Sequence, residues 1–151
     1  MKQPKSLRRQ RGVAAVEATI ALPILFLMFY VTAEMGRMLY QYHQLNQLAR
    51  NAARHLISYS STNDTGVIDL SDDLQAQIRN MAVTGLTTGG TAQLNGLTVD
   101  NVQITVVNSD LARVTVSYDW TPIFGDSIPG FFGDAISLNW DLVASATMRP
   151  L

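Results

Sequence analysis

Three patterns of apolar spacing divide this chain: a continuous run, a helical stripe and a set of strand-like alternations. The run VAAVEATIALPILFLMFYVTA, from Val13 to Ala33, holds a single charge, Glu17. As a helix it is about 31 Å long at ~1.5 Å per residue, close to a bilayer hydrocarbon core of ~30 Å. Beyond it the stripe begins. Met35, Tyr42, Ala49 and Leu56 recur every seven residues, as do Met38, Leu45, Ala52 and Tyr59. That spacing puts them on one face and predicts a single long helix over residues 13–58, with its second half docked on the rest of the protein. Pro23 is expected to kink it locally, since it lacks a backbone donor. Glu34 and Arg37, one turn apart, read as a surface ion pair, and Arg50 and Arg54 as a solvated face.

After the loop SYSSTNDTG, the stretch SDDLQAQIRNMAVTG predicts a short second helix. Ser71 is its cap, Asp72 and Asp73 suit its positive end, Leu74, Ile78 and Met81 form its apolar face, and Gly85 stops it. TTGGTAQLNG follows as a loop. Three alternating segments then read as strands: Val102, Ile104 and Val106; Val114, Val116, Tyr118 and Trp120; and Ile136, Leu138, Trp140 and Leu142, continuing to Ala144 and Ala146. Asn108-Ser109-Asp110 is the expected hairpin connection. One-sided alternation suits an antiparallel sheet with one covered face and one wet face. The fold class is α+β: a long helix packed on a small antiparallel sheet, with one short extra helix.

Between the last two strands lies TPIFGDSIPGFFGD, irregular by its prolines and glycines yet rich in apolar side chains. Two readings stand: a loop folded over its own core, or an exposed patch that binds another subunit. If the body has a partner surface, it is formed by Ile123, Phe124, Ile128, Phe131 and Phe132.

Charge sharpens the division of the chain. Of 11 basic and 12 acidic residues, Lys2, Lys5, Arg8, Arg9 and Arg11 fall in residues 1–12, which contain no acid. A basic leader before an apolar span, with an acidic remainder, places the leader in the cytoplasm and the body across the membrane. The organisation expected is therefore a leader over 1–12, a transmembrane helix over 13–33, its extramembrane continuation over 34–58, and an α+β extracytoplasmic domain over 59–151. Two alternatives compete. A secretory signal cut after Ala33, at Val31-Thr32-Ala33, would release a soluble binding protein. A buried core helix would leave the basic leader unexplained. Nucleic acid is not an expected partner, because the bases flank the span and the body is acidic.

Glu17 is the residue that the span must explain. A charge at a helix centre costs roughly 2.5–3.5 kcal/mol on insertion scales, and less near an end, where the side chain can snorkel. An intramembrane acid is by default a functional group with a positive partner. Cleavage after Gly12 would supply one: the α-ammonium group of Val13, on the same chain or on a neighbour.

A basic leader closed by Gly12, with Glu17 five positions on and an apolar helix after it, resembles the class III signal of type IV pilins and pseudopilins. GVAAVEATIALPILFLMF, AEMGR, QLARNAAR and the C-terminal VASATMR more narrowly resemble the TadE-like pseudopilins of tight-adherence (Flp-type) pilus systems. The resemblance implies a minor pilin at the bacterial inner membrane, N-terminus inside and body in the periplasm. It also implies a prepilin peptidase cutting between Gly12 and Val13, with Glu17 serving recognition and subunit assembly. Other pilin and pseudopilin subunits, and the inner-membrane assembly platform, would be its partners. One departure is Ala18, where related Flp pilins carry an aromatic residue, so an uncleaved single-pass anchor remains an alternative.

Catalytic patterns are missing from the sequence. Cysteine is absent, which removes thiolate chemistry and Cys-ligated zinc. His43 and His55 do not form a ligand pair, no G-x-S-x-G elbow occurs, and the Thr/Gly-rich loop lacks the Gly-Lys-Ser/Thr of a P-loop. Asp64, Asp69, Asp72 and Asp73 cluster without EF-hand spacing, and a helix N-terminus explains two of them. The expectation is a non-catalytic protein with no cofactor and no metal.

Overall fold

The computed structural model of the protein describes residues 6–62, 68–107, 111–129 and 133–149. The elements in chain order are α1 (Ser6–Tyr59), β1 (Ser61–Thr62), β2 (Ile68–Asp69), α2 (Asp72–Thr84), a 3₁₀ turn (Val99–Asn101), β3 (Val102–Val107), β4 (Leu111–Asp119), β5 (Ser127–Ile128), β6 (Ile136–Ser137) and β7 (Asp141–Met148). This is the α+β arrangement that the apolar pattern predicts.

One helix of 54 residues dominates the molecule. At ~1.5 Å per residue it is about 80 Å long. It starts within the basic leader rather than at residue 13, because a single glycine weakens a helix without ending it. Pro23 lies inside it, and the helix continues on both sides. Residues 12–26 are exposed all round, whereas Leu45, Leu48, Ala49, Ala52, Ala53 and Leu56 are buried. The docking stripe is thus narrower than a sevenfold repeat suggests. Tyr42 and Tyr59, which share the predicted face, are exposed, since the buried seam follows steps of three and four past them.

Strands β3, β4 and β7 form an antiparallel sheet in that order. Its register sets Val102 opposite Val116, Val114 opposite Ala146, and Tyr118 opposite Leu142. Side chains on one face of the sheet, among them Val102, Val114, Val116, Ala144 and Ala146, are buried. On the other face Arg113 Nε donates to Thr147 Oγ1 at 3.1 Å, in exposed surroundings. Helix α1 covers β4 and β7, and α2 lies beside α1 toward β3. Small residues (Ala49, Ala52 and Ala53 on α1, Ala112, Ala144 and Ala146 on the sheet) belong to one shared core, so the helix can approach the strands closely.

Helix α2 follows its sequence signals. Ser71 Oγ accepts from Leu74 N–H at 3.3 Å, and Gly85 closes the helix at φ 80°, a left-handed conformation that costs glycine little. Leu74 and Ile78 are buried, while Met81 is only half-buried.

The last predicted strand is divided. Ile136 and Ser137 pair with β5 instead, and β7 begins at Asp141. Between them the backbone changes partner: Leu138 N–H donates to Asp126 O at 2.9 Å, then Trp140 O accepts from Trp120 N–H at 3.2 Å. Leu138 still enters the core, but Ile136 and Trp140 remain 57% and 40% exposed. The expected hairpin connection at 108–110 lies outside the described residues.

The alanine seam carries a direct test. Ala52 is fully buried, so Ala52→Leu should overpack it and destabilise the full chain by about 1–3 kcal/mol. Thermal unfolding in detergent micelles measures this, and unchanged stability would mean that the helix–sheet gap has slack.

Candidate functional site

Two places on α1 carry polar chemistry: the apolar span and the point where the body first touches the helix. The span is long and apolar enough to cross a membrane and is a candidate membrane anchor. Residues 13–26 are exposed on all sides and no residue from 13 to 33 is buried, which speaks against a core helix of this chain. Between Val13 and Ala33 the polar side chains are Glu17, Thr19, Tyr30 and Thr32. Both threonine hydroxyls donate back along the helix, Thr19 to Ala15 O at 2.7 Å and Thr32 to Met28 O at 2.8 Å. Such back-bonding satisfies the donor where no water is available. Tyr30 Oη donates to Gly125 O at 3.4 Å. Glu17 alone makes no hydrogen bond or ion pair with any described residue, and it is exposed.

Val13 and Glu17 stand one turn apart, about 6 Å along the axis, and share a face. Gly12 precedes them in the same helix. A Cβ built on it would meet nothing within 4 Å. The fold of this chain therefore does not require a glycine there.

The second place is a clasp around Glu34. Helix α1 sets Glu34 and Arg37 on the side that faces the chain leaving β4. Trp120 follows that strand into the core, and Thr121 to Gly125 then cross the helix. Glu34 Oε1 accepts from the backbone N–H groups of Ile123 at 2.6 Å and Phe124 at 3.0 Å. Its Oε2 accepts from Arg37 Nε at 3.2 Å. Arg37 Nη2 donates to Thr121 O, and the guanidinium lies 5.2 Å from the centre of the Trp120 ring. The Trp120 indole N–H is buried without a partner among the described residues, so the ring serves as packing surface and as a face for Arg37. One turn toward the span, Tyr30 meets Phe124 edge-on at 5.3 Å. Gly125 has φ 133°, which favours glycine and lets the chain turn away.

Glu34 is thus not a surface partner of Arg37. Only 2% exposed, it is a buried carboxylate with three donors. Burial alone pushes its pKa up, but the Phe124 and Ile123 N–H bonds and the Arg37 guanidinium outweigh that and hold it below the ordinary value. The sequence offered a faint signal only: an acid within a helix beside a Pro- and Gly-bounded apolar loop far along the chain.

The apolar loop residues separate by environment. Ile123 and Phe124 are 68% and 66% exposed although their backbone is clasped. Ile128, in β5, is half-buried and packs against the core. Phe131 and Phe132 lie outside the described residues. Arg50 and Arg54 are exposed on α1. His43 contacts Gln47 at 2.9 Å, and His55 contacts Gln77 at 3.3 Å. Asp64 lies outside the described residues, and among those described no group of three His, Cys, Asp or Glu side chains gathers to hold a metal.

Residues 12–54 match the family model described as TadE-like protein. The match begins at Gly12, contains Glu17, Glu34 and Arg37, and ends within the docking stripe, so the chain carries a TadE-like region along α1. No curated protein and no solved structure matches the chain.

The clasp has a definite pH sign. A carboxylate held below its ordinary value of 4.5 contributes its full stability above that pH. The contribution is lost as pH falls below 4.5 through the lowered folded value. Tryptophan fluorescence of the full chain in micelles should report an acid transition in that range, through Trp120 beside Arg37, and Glu34→Gln should abolish it. Glu34→Ala leaves two N–H groups and Arg37 without their acceptor and should weaken loop docking by about 1–3 kcal/mol. Faster hydrogen exchange at the Ile123 and Phe124 amides would register the change.

Proposed function

We propose that this protein is a non-catalytic minor pilin, a pseudopilin of the tight-adherence type IVb system. In this reading a prepilin peptidase cuts between Gly12 and Val13. Residues 13–33 then anchor the subunit in the bacterial inner membrane, N-terminus cytoplasmic, with the body in the periplasm. The subunit acts in assembling or priming the pilus together with other pilin subunits and the inner-membrane platform. One observation carries it: Glu17 is the polar side chain of the span without a partner among the described residues. An apolar helix that satisfies its other polar groups and leaves one carboxylate open is suited to a positive group supplied from outside the fold. The new α-ammonium group at Val13, one turn away on its own chain or on a neighbour, has the right charge and reach.

The remaining support is structural economy. Gly12 is not needed by the chain's own packing, so a requirement for it would come from another protein. The TadE-like match starts at that glycine. The basic leader and acidic remainder favour the stated orientation. Cleavage after Ala33 is disfavoured, because that bond lies deep inside α1 and the next residue is the buried, clasped Glu34.

Intact mass of the membrane-fraction protein, with and without a cognate prepilin peptidase, tests the processing. Loss of residues 1–12, blocked by a bulky residue at Gly12, is expected. Loss of residues 1–33 would mean an exported soluble protein, and an unchanged mass a permanent single-pass anchor. Glu17→Ala should leave membrane insertion intact. It should weaken association with partner subunits by about 1–2 kcal/mol, roughly five- to thirtyfold. Co-purification from membranes measures that loss, and normal piliation with Glu17→Ala would refute the assembly role.

A further inference from the structure

The clasp places part of the body at the level of the span itself. Phe124 contacts Tyr30, which lies inside residues 13–33, while its backbone N–H is held by Glu34 one turn further on. Phe29, next in sequence to Tyr30, is 77% exposed, and Ile123 and Phe124 are exposed on the loop, with Phe124 meeting the helix at Tyr30. If the span lies in a bilayer, the loop tip lies at the bilayer's edge.

The backbone of that tip is prepared for such surroundings. An unpaired N–H or C=O is costly wherever water is scarce. Here the N–H groups of Ile123 and Phe124 go to Glu34, Thr121 O accepts from Arg37, and Gly125 O accepts from Tyr30. Four polar backbone groups are thus tied to side chains of α1, while the two apolar side chains point outward. Asp126 is exposed and follows directly, which limits the depth to the headgroup level.

We propose that residues 121–125 are a membrane seat, in which Ile123 and Phe124 insert into the interface of the leaflet on the body's side and hold the body against the bilayer. This rests on residues 13–33 spanning a membrane. Lipid is the occupant the geometry favours over a second subunit. The patch adjoins the span through the contact of Phe124 with Tyr30. Its two side chains also offer on the order of 300 Å², well below the ~800 Å² per partner of a stable interface.

Because the chain has no cysteine, one nitroxide label can be placed at will. Ile123→Cys, Phe26→Cys and Arg54→Cys would each be labelled in the full chain. The protein would be reconstituted in phosphatidylethanolamine–phosphatidylglycerol vesicles, and collision rates measured with oxygen and with a water-soluble nickel chelate. Phe26 reports the span, and Arg54 the aqueous body. The seat predicts an oxygen-to-nickel ratio at Ile123 severalfold above that at Arg54 and below that at Phe26. A label at Phe124 should repeat it, which guards against a local effect of either substitution. A ratio at Ile123 equal to that at Arg54, with Phe26 in lipid, would overturn the seat and leave the anchor standing. A water-accessible Phe26 would overturn both. Protection from both reagents, with dipolar broadening that grows as protein-to-lipid ratio rises, would make a second subunit the occupant and overturn the seat.

Discussion

A buried carboxylate on a helix must be satisfied by something, and Glu34 is satisfied by the body. Its two oxygens collect two backbone N–H groups and a guanidinium, and the same guanidinium reaches Thr121 O and the Trp120 ring. Removing the carboxylate would strand two backbone N–H groups at once and take one acceptor from Arg37, which keeps Thr121 O and the Trp120 ring, so such an acid costs more to delete than a surface ion pair. The clasp fixes where the loop after β4 crosses α1. From that crossing follow the contact of Phe124 with Tyr30, the turn at Gly125 and the outward direction of Ile123.

The rest of the body hangs from the same helix by ordinary burial. Alanines on α1 and on the sheet allow close approach, and larger residues such as Leu45, Leu56, Ile78 and Trp120 fill the spaces around them. Helix α2 completes the cover over β3, leaving the opposite face of the sheet wet. The core and the clasp hold separate stretches of α1, the core from Leu45 to Leu56 and the clasp from Tyr30 to Arg37. The body is therefore held along α1 from Tyr30 to Leu56 rather than at one point. A continuous helix then transmits the position of the span to the body with little freedom between them.

The TadE-like match, residues 12–54, lies within the helix and stops before the sheet. That division agrees with the physical roles of the two parts. The helix carries the open carboxylate, the glycine before it and the residues of the clasp. The sheet supplies a compact mass that buries one face of the helix, a task that many sequences can perform.

Periodicity, with the cap signals of the second helix, determined the long helix, α2, β4, the strand β3 though not the burial of its Val106, and the inward residues of β7, because each is specified by neighbours within a few positions. Glu17 is conspicuous for the same reason, as a lone charge in an apolar run. The role of Glu34 was not legible, because its decisive donors lie 89 and 90 residues away, and an acid three positions before an arginine looks like any exposed pair. The third alternating segment is not one strand at its start, since alternation continues through Ile136 while the backbone changes hydrogen-bonding partner there. Local spacing tells which side chains share a face. Only the tertiary structure decides which distant backbone groups come to meet them, because that depends on how the whole chain closes around the helix.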